Sequence, residues 1–171
     1  MNELKKVTLN KNYISIKSVR NDHPLNGDER TKKFYYNEIF DSSYMITDGD
    51  NIFAGRHLLF DFWNTGYEKR MKETREIMIE GLRETGARIL YSHFHEFGIG
   101  GFTGLIMLQE SHASVHTWPE SHLMTFDIYM CGTCDPEISF RYYLQKFSPV
   151  KMSIHMVRRG VVEIDPLILS K

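Results

Sequence analysis

The segment QESHASVHTWPE (109–120) concentrates side chains that could do chemistry. It carries the hydroxyl of Ser111 and the imidazole of His116, and the thiol of Cys131 follows in the next apolar stretch. Across an antiparallel strand pair, residues distant in sequence can lie opposite each other. The three groups could therefore converge on one pocket suited to nucleophilic and proton-transfer chemistry. Because Ser and His are also common on the solvent-exposed face of a hairpin, a purely structural role for Ser111 and His116 stays open.

These residues need a scaffold, and hydrophobic patterning predicts one from residue 53 onward. A first amphipathic helix is predicted at 67–84, with Gly86 as its C-terminal cap, and a second begins at Asp135-Pro136, an N-cap followed by proline. Strands are predicted at 57–63, 87–94, 104–108, 114–118, 124–130 and 151–157. This order predicts an α+β fold, a two-layer sandwich whose mainly antiparallel sheet carries both helices on one face.

Residues 1–52 differ from the remainder because VRNDHPLNGDER (19–30) and TDGDN (47–51) are rich in turn formers and charges. We therefore expect an N-terminal arm at 1–52 and one domain at 53–171. Within the arm, residues 13–16 and 32–40 suggest two short elements.

Composition excludes several classes of protein. The chain has 171 residues, which suits one domain of ordinary size, and its net charge of -1 does not favour a nucleic-acid partner. It has no apolar run long enough to cross a bilayer, and its start does not resemble a secretory signal, so we expect a soluble cytoplasmic protein with no membrane partner. Two cysteines are too few for a disulfide framework.

The motif ESHASVHTWPE, with Cys131 fifteen positions after His116, resembles the prokaryotic class of S-adenosylmethionine decarboxylase. The similarity continues in GRHLLFDF (55–62) and FHEFGIGGFTG (94–104) and covers residues 53 to 160. The resemblance implies a proenzyme that cleaves its own chain between Glu110 and Ser111.

In such a proenzyme the Ser111 hydroxyl would attack the Glu110 carbonyl, and the resulting ester would eliminate and hydrolyse to leave a covalently bound pyruvoyl group derived from Ser111. His116 matches the histidine that moves protons during this processing. Thr103 falls where the family has a serine that assists it, and the extra methyl of threonine restricts its rotamer. The pyruvoyl carbonyl would then act as the electron sink for decarboxylation.

The resemblance also assigns residues to the substrate, a small molecule. Cys131 matches the cysteine that protonates the substrate carbon after carbon dioxide leaves, and Phe97 matches an aromatic residue that stacks on adenine. Glu120 matches a carboxylate that accepts the ribose hydroxyls, and Asp61 falls near the family's N-terminal acidic position. No metal is implied. The expected product is decarboxylated S-adenosylmethionine, the aminopropyl donor for spermidine biosynthesis, and the expected assembly is a homodimer of processed protomers.

The first alternative concerns the substrate. SHL (121–123) stands where the family usually has aromatic and glycine residues, and GIGG (98–101) replaces a loop that often carries proline. The same pyruvoyl chemistry would serve a small basic amino acid such as ornithine or arginine.

Two further alternatives belong to other classes of protein. Cys131-Gly132-Thr133-Cys134 is a CxxC motif that could act in redox chemistry or, with His93 and His95, bind a metal. A non-catalytic paralogue that never cleaves is the other alternative, although it would have no need to keep both Ser111 and His116.

Overall fold

The computed structural model describes residues 45–49, 51–98 and 100–161. The elements expected at 13–16 and 32–40 lie outside these residues. The division into an arm and a domain after residue 52 stays a prediction.

From residue 55 onward the strands and helices follow the expected order along the described chain, and two short strands that the sequence pattern does not predict precede them. The strands are β1 (Ile46–Asp48), β2 (Asn51–Phe53), β3 (Gly55–Trp63), β4 (Ile89–Glu96), β5 (Phe102–Leu108), β6 (Ser111–Trp118), β7 (Leu123–Cys131) and β8 (Lys151–Arg159). The helices are α1 (Met71–Glu84) and α2 (Pro136–Phe147). Neither of these two helices is long and apolar enough to cross a lipid bilayer.

Strands β3 to β8 form one six-stranded sheet in the order β4-β5-β6-β7-β3-β8, and every neighbouring pair in it is antiparallel. Strands β1 and β2 form a separate hairpin. The predicted α+β fold with a mainly antiparallel sheet is confirmed.

Both helices cover the same face of this sheet, because alternate strand residues point toward them. Phe60 of β3 stacks on Phe126 of β7 with ring centroids 4.7 Å apart and meets Phe140 of α2 at 5.1 Å. The buried hydroxyl of Tyr143 donates to the carbonyl of Met78 on α1 at 2.8 Å. Each fully buried aromatic side chain of this layer contributes roughly 1.5–3 kcal/mol by leaving water, so the core holds sheet and helices together.

The predicted helix caps are confirmed. The Asp135 carboxylate accepts the backbone N–H of Glu137 at 3.0 Å, and Pro136 occupies the first turn of α2. Gly86 follows α1 with a φ of 82°, a conformation in which a residue without a Cβ is favoured.

The start of α1 differs from the prediction by four residues. The buried carboxylate of Glu68 accepts the backbone N–H and the hydroxyl of Thr65 at 3.0 and 3.1 Å, which folds the chain into a turn ahead of the helix. Tyr67 still packs edge-on against Phe147 at 5.2 Å. Tyr67 therefore fits the apolar pattern because it belongs to the core, although it lies before the helix, which begins at Met71.

The other face of the sheet carries no helix in the described residues and remains partly apolar. Tyr91 on β4, Leu105 and Met107 on β5 and Trp118 on β6 are 60%, 52%, 48% and 39% exposed. A cluster of large apolar side chains on one face is typical of a surface that another chain covers. We refer to this surface as the open face.

We expect Gly81→Ala to destabilise the protein, although alanine normally favours a helix. A Cβ at Gly81 would lie 2.3 Å from Cε1 of Tyr143, whose ring is completely buried between α1 and α2. Overpacking of this kind costs about 1–3 kcal/mol, which exceeds the helix-propensity gain of at most about 1 kcal/mol. Denaturant unfolding followed by circular dichroism measures the change, with the exposed Glu76→Ala on the same helix as the control. Unchanged or greater stability of Gly81→Ala would contradict the close packing of the helices.

Candidate active site

The Glu110–Ser111 peptide bond lies in the tight turn that joins β5 to β6. Leu108 pairs with Ser111 across this hairpin. The Glu110 side chain accepts the backbone N–H of Arg88 at 3.0 Å, and the N–H of Gln109 donates to the Arg88 carbonyl at 2.9 Å. The chain just before β4 therefore fixes the turn on its outer side.

The carbonyl oxygen of Glu110 accepts two hydrogen bonds from Cys131 at the end of β7. One comes from the backbone N–H and one from the thiol Sγ, each at 3.1 Å. Two donors aimed at one carbonyl oxygen polarise the carbonyl and favour negative charge on the oxygen. The carbon of this carbonyl is thereby made more susceptible to a nucleophile.

Ser111 has a backbone conformation that non-glycine residues rarely adopt, with φ at 146°. In a regular strand, neighbouring side chains point to opposite faces. Here the Ser111 Oγ lies 3.3 Å from Nδ1 of the next residue, His112. The unusual backbone thus places the hydroxyl beside an imidazole and next to the polarised carbonyl.

His112 belongs to a cluster on the open face that the sequence analysis did not identify. Its Nε2 lies 3.3 Å from Oδ1 of Asp127 on β7, and Nε2 of His57 on β3 lies 2.9 Å from Oδ2 of the same carboxylate. His57 and Asp127 are polar positions inside largely apolar strands, which is a signal in the sequence. The signal does not show that the strands are adjacent, because β3 and β7 pair although one helix and three strands lie between them along the chain.

A second row of polar residues crosses the open face four positions further along β3. The strand registers place Asp61, Thr125, His116 and Thr103 opposite one another on β3, β7, β6 and β5. Thr103 Oγ1 lies 3.1 Å from Nε2 of His116. Asp61 Oδ2 accepts the hydroxyl of Ser153 at 2.6 Å. The structure therefore brings together the predicted residues Thr103 and His116 and places Asp61 in the same row.

Phe97 and Glu120 lie on two loops beside this second row. Phe97 begins the loop between β4 and β5, where its N–H donates to the Gly101 carbonyl at 2.7 Å, and Glu120 lies in a short 3-10 turn after β6. The two loops are in contact, because a Cβ at Gly101 would lie 3.1 Å from Cδ of Pro119. Phe97 is 43% exposed, so part of its ring is available to a ligand.

One copy of the chain does not bring all the predicted residues to one pocket. Ser111 and His116 lie on the same strand, five residues apart, which corresponds to about 16 Å. Ser111, Glu110 and Cys131 lie at one end of the strands, and His116 lies with Thr103 near the other. The expected convergence of hydroxyl, imidazole and thiol therefore fails within a single copy, because strand spacing separates them.

The CxxC motif does not meet the two histidines proposed to complete a metal site. His93 and His95 lie on β4, and two strands separate β4 from β7, which carries Cys131. Three inter-strand spacings amount to about 14 Å, too far for a shared ion. Burial, with a smaller contribution from the charge of Glu110, raises the pKa of the Cys134 thiol. Cys134 therefore favours the protonated form, which is a poor metal ligand.

The groups at the β5–β6 turn are those that an acyl shift from nitrogen to oxygen requires. They are a hydroxyl, the carbonyl of the preceding residue and two donors on that carbonyl oxygen. Fold and site together define a candidate self-cleaving protein of the α+β class.

Comparison with known proteins identifies the family. Residues 56–160 match the S-adenosylmethionine decarboxylase family, and the chain belongs to it. The chain is 32% identical to the S-adenosylmethionine decarboxylase proenzyme of Sulfurihydrogenibium sp. (strain YO3AOP1) over 115 residues, which is 66% of this chain and 86% of that protein. It is 34% identical to the proenzyme of Aquifex aeolicus (strain VF5) over 114 residues, or 64% of this chain and 83% of that protein.

A solved structure is similar as well. The crystal structure of the adenosylmethionine decarboxylase from Aquifex aeolicus VF5 aligns with a TM-score of 0.57 at 32% identity and covers 65% of this chain and 94% of that one. The resemblance stated from the sequence motif is confirmed at the level of the family and of the fold.

Proposed function

We propose that this chain is a self-processing decarboxylase that makes a pyruvoyl group from Ser111 and acts on S-adenosylmethionine. Family membership supports the reaction and its substrate. One structural observation supports self-processing: the Glu110 carbonyl, adjacent to Ser111, accepts two hydrogen bonds from Cys131. The product would be decarboxylated S-adenosylmethionine, for spermidine biosynthesis. A cytoplasmic location stays a prediction.

Self-cleavage begins when Ser111 Oγ attacks the carbonyl carbon of Glu110. Negative charge then develops on an oxygen that already faces the N–H and thiol of Cys131, and one preorganised donor of this kind is worth on the order of 10²- to 10³-fold in rate. The positive φ of Ser111 costs about 1–3 kcal/mol. This strain disappears when the bond before Ser111 breaks, so it favours cleavage.

The residues around position 111 fit a pyruvoyl group. Position 111 is partly exposed at the start of β6, and the Cys131 thiol contacts the residue directly before it. The pyruvoyl group supplies a sink for the electron pair left when carbon dioxide departs from the substrate. Cys131 holds a proton on Sγ and delivers it to the substrate carbon, while the pairing of β6 with β7 keeps the thiol near the start of β6.

Phe97 and Glu120 are assigned to the nucleoside. The exposed ring of Phe97 offers a π face to adenine, and the Glu120 carboxylate has enough acceptor sites for both ribose hydroxyls. Contact between their two loops through Gly101 and Pro119 keeps the two residues on one side of the site. Asp61, in the row with His116, adds negative charge for a cationic part of the substrate.

The active protein is proposed to be a homodimer in which two open faces pack together. The two-fold axis would lie between the two faces, perpendicular to the strands and midway between the two polar rows. It would place the Ser111 end of one copy against the His116 row of its partner. The exposed Leu105 and Met107 would become buried in the same contact. This arrangement reunites the residues that a single copy separates.

The substrate is tested by carbon dioxide release from carboxyl-labelled S-adenosylmethionine, ornithine, arginine and lysine on fully processed protein. We expect the highest kcat/KM for S-adenosylmethionine. Glu120→Gln should raise its KM about tenfold, because a neutral amide replaces a charge-assisted acceptor worth on the order of 1–2 kcal/mol. Ornithine and arginine lack the ribose that Glu120 binds.

Glu73→Gln on α1 is the matched control for this substitution, because it changes a carboxylate behind the opposite face of the sheet. A higher kcat/KM for ornithine or arginine would contradict the roles of Phe97 and Glu120 while leaving the pyruvoyl chemistry in place. An unchanged KM in Glu120→Gln would refute the ribose assignment alone.

A further inference from the structure

We propose that His112 is the base that takes the proton from Ser111 Oγ within the same copy, and that Asp127 and His57 are its positioning residues. This inference rests on the proposed self-cleavage and names the residue that starts it. Nothing in the resemblance assigns a role to His112.

The geometry is that of a hydroxyl, an imidazole and a carboxylate in sequence. Ser111 Oγ lies 3.3 Å from Nδ1 of His112, and the opposite ring nitrogen, Nε2, lies 3.3 Å from Oδ1 of Asp127. For Nδ1 to accept the serine proton, the neutral ring must carry its own proton on Nε2, which faces the carboxylate. The carboxylate favours that tautomer and stabilises the imidazolium that forms.

His116 cannot perform this task in the same copy. It lies about 16 Å along the strand from Ser111, and its Nε2 contacts Thr103 Oγ1 at 3.1 Å. Among the described residues, His112 is the imidazole whose nitrogen lies beside the Ser111 hydroxyl. The assignment leaves His116, with Thr103, for the later elimination step.

Asp127 is itself held on both sides. Its Oδ2 lies 2.9 Å from Nε2 of His57, and its Oδ1 is buried without an aligned hydrogen bond. The Nε2 of His57 is also buried and lacks an aligned partner. A carboxylate oxygen that is buried and makes no other aligned hydrogen bond stabilises the positive charge that develops on the His112 ring when Nδ1 takes the serine proton, which makes proton transfer from Ser111 more favourable.

The step balances in atoms and electrons. The Ser111 O–H proton moves to Nδ1 of His112 while Oγ bonds to the Glu110 carbonyl carbon, and the carbonyl π pair moves onto its oxygen. When that pair returns, the bond between the carbon and the nitrogen of residue 111 breaks, and the nitrogen takes the proton back from His112. The result is an ester and a free amine, with His112 neutral again.

The test follows cleavage of the full chain after pulse-labelled cell-free synthesis. His112→Gln should slow cleavage by on the order of 10²-fold or more, as loss of a general base does. Asp127→Asn should slow it less.

Neutral hydroxylamine separates the two steps, because it splits an ester but not an amide. The uncleaved His112→Gln chain should resist it because this chain still holds the amide, whereas the uncleaved His116→Ala chain should be split because it holds the ester. Added imidazole should partly restore cleavage in His112→Gly, a rescue that a structural role would not allow.

His155→Gln, an exposed histidine on the edge strand β8, is the matched control and should cleave at the wild-type rate. Wild-type cleavage in His112→Gln, or a hydroxylamine-labile His112→Gln chain, would overturn the base assignment while self-processing survives. A chelator that slows wild-type cleavage to the rate of His112→Gln would also overturn the base assignment. In that case His57, His112 and Asp127 would hold a cation. A wild-type chain that never cleaves would defeat the proposed function itself.

Discussion

Ser111→Ala is expected to leave the chain whole and to abolish carbon dioxide release. Alanine keeps the hairpin but removes the hydroxyl proposed to attack the Glu110 carbonyl, so neither the fragments 1–110 and 111–171 nor the pyruvoyl carbonyl should form. The effect should be all or none, in contrast to the graded losses expected from proton-transfer residues. Intact-mass analysis measures cleavage, and a carbonyl-reactive reagent measures the pyruvoyl group on the 111–171 fragment.

Ser92→Ala is a suitable control, because Ser92 also lies on a strand and its hydroxyl accepts a hydrogen bond from the exposed Arg75 at 2.9 Å, away from the β5–β6 turn. This variant should cleave and label like wild type. A Ser111→Ala chain that still breaks at residue 110, or that still reacts with the carbonyl reagent, would remove Ser111 from the mechanism. A wild-type chain that stays whole on long incubation would remove the electron sink.

Co-expression of Ser111→Ala with His116→Ala should restore cleavage that neither variant shows alone. In a mixed dimer, the His116→Ala copy keeps its Ser111, and the Ser111→Ala copy supplies the missing His116 across the interface. Cleavage should be confined to the His116→Ala chain, and its extent should rise with the proportion of the other chain. Differently tagged chains separated by electrophoresis give the measurement.

The matched control replaces Ser111→Ala with the double variant Ser111→Ala/His116→Ala, which brings no histidine to the mixed site and should restore nothing. Failure of complementation between chains that demonstrably form mixed dimers would show that each copy processes itself alone. Light scattering that finds a stable monomer at every concentration would refute the homodimer. Rapid cleavage of His116→Ala by itself would refute the role of His116.

The roles assigned to Cys131 in processing and in turnover follow from one placement. Its N–H and thiol donate to the Glu110 carbonyl in the intact chain, and the pairing of β6 with β7 would keep the same Sγ near residue 111 after cleavage. A residue that stabilises charge before cleavage is thus already positioned to move a proton afterwards. Both proposed roles of Cys131 depend on the pairing of β6 with β7, which places Ser111 opposite Met130, the neighbour of Cys131.

Local patterns in the sequence determined most of the elements. The Asp135-Pro136 pair begins α2 and Gly86 ends α1, since caps and turns depend on residues close together in the chain. The resemblance stated from the motif at 110–120 and Cys131 is confirmed by the family match over residues 56–160. The start of α1 was predicted four residues too early. The buried carboxylate of Glu68 binds Thr65 and forms a turn where the pattern predicts helix, and burial depends on residues that are distant in the sequence.

Only the tertiary structure decided how the candidate site is assembled. Strand register places Thr103 beside His116 and Cys131 on the Glu110 carbonyl, but it leaves Ser111 and His116 far apart in one copy. It also brings His57, His112 and Asp127 together from three different strands. Register is set by which apolar faces can be buried together across strands that are distant in sequence, and no pattern within one strand contains that information.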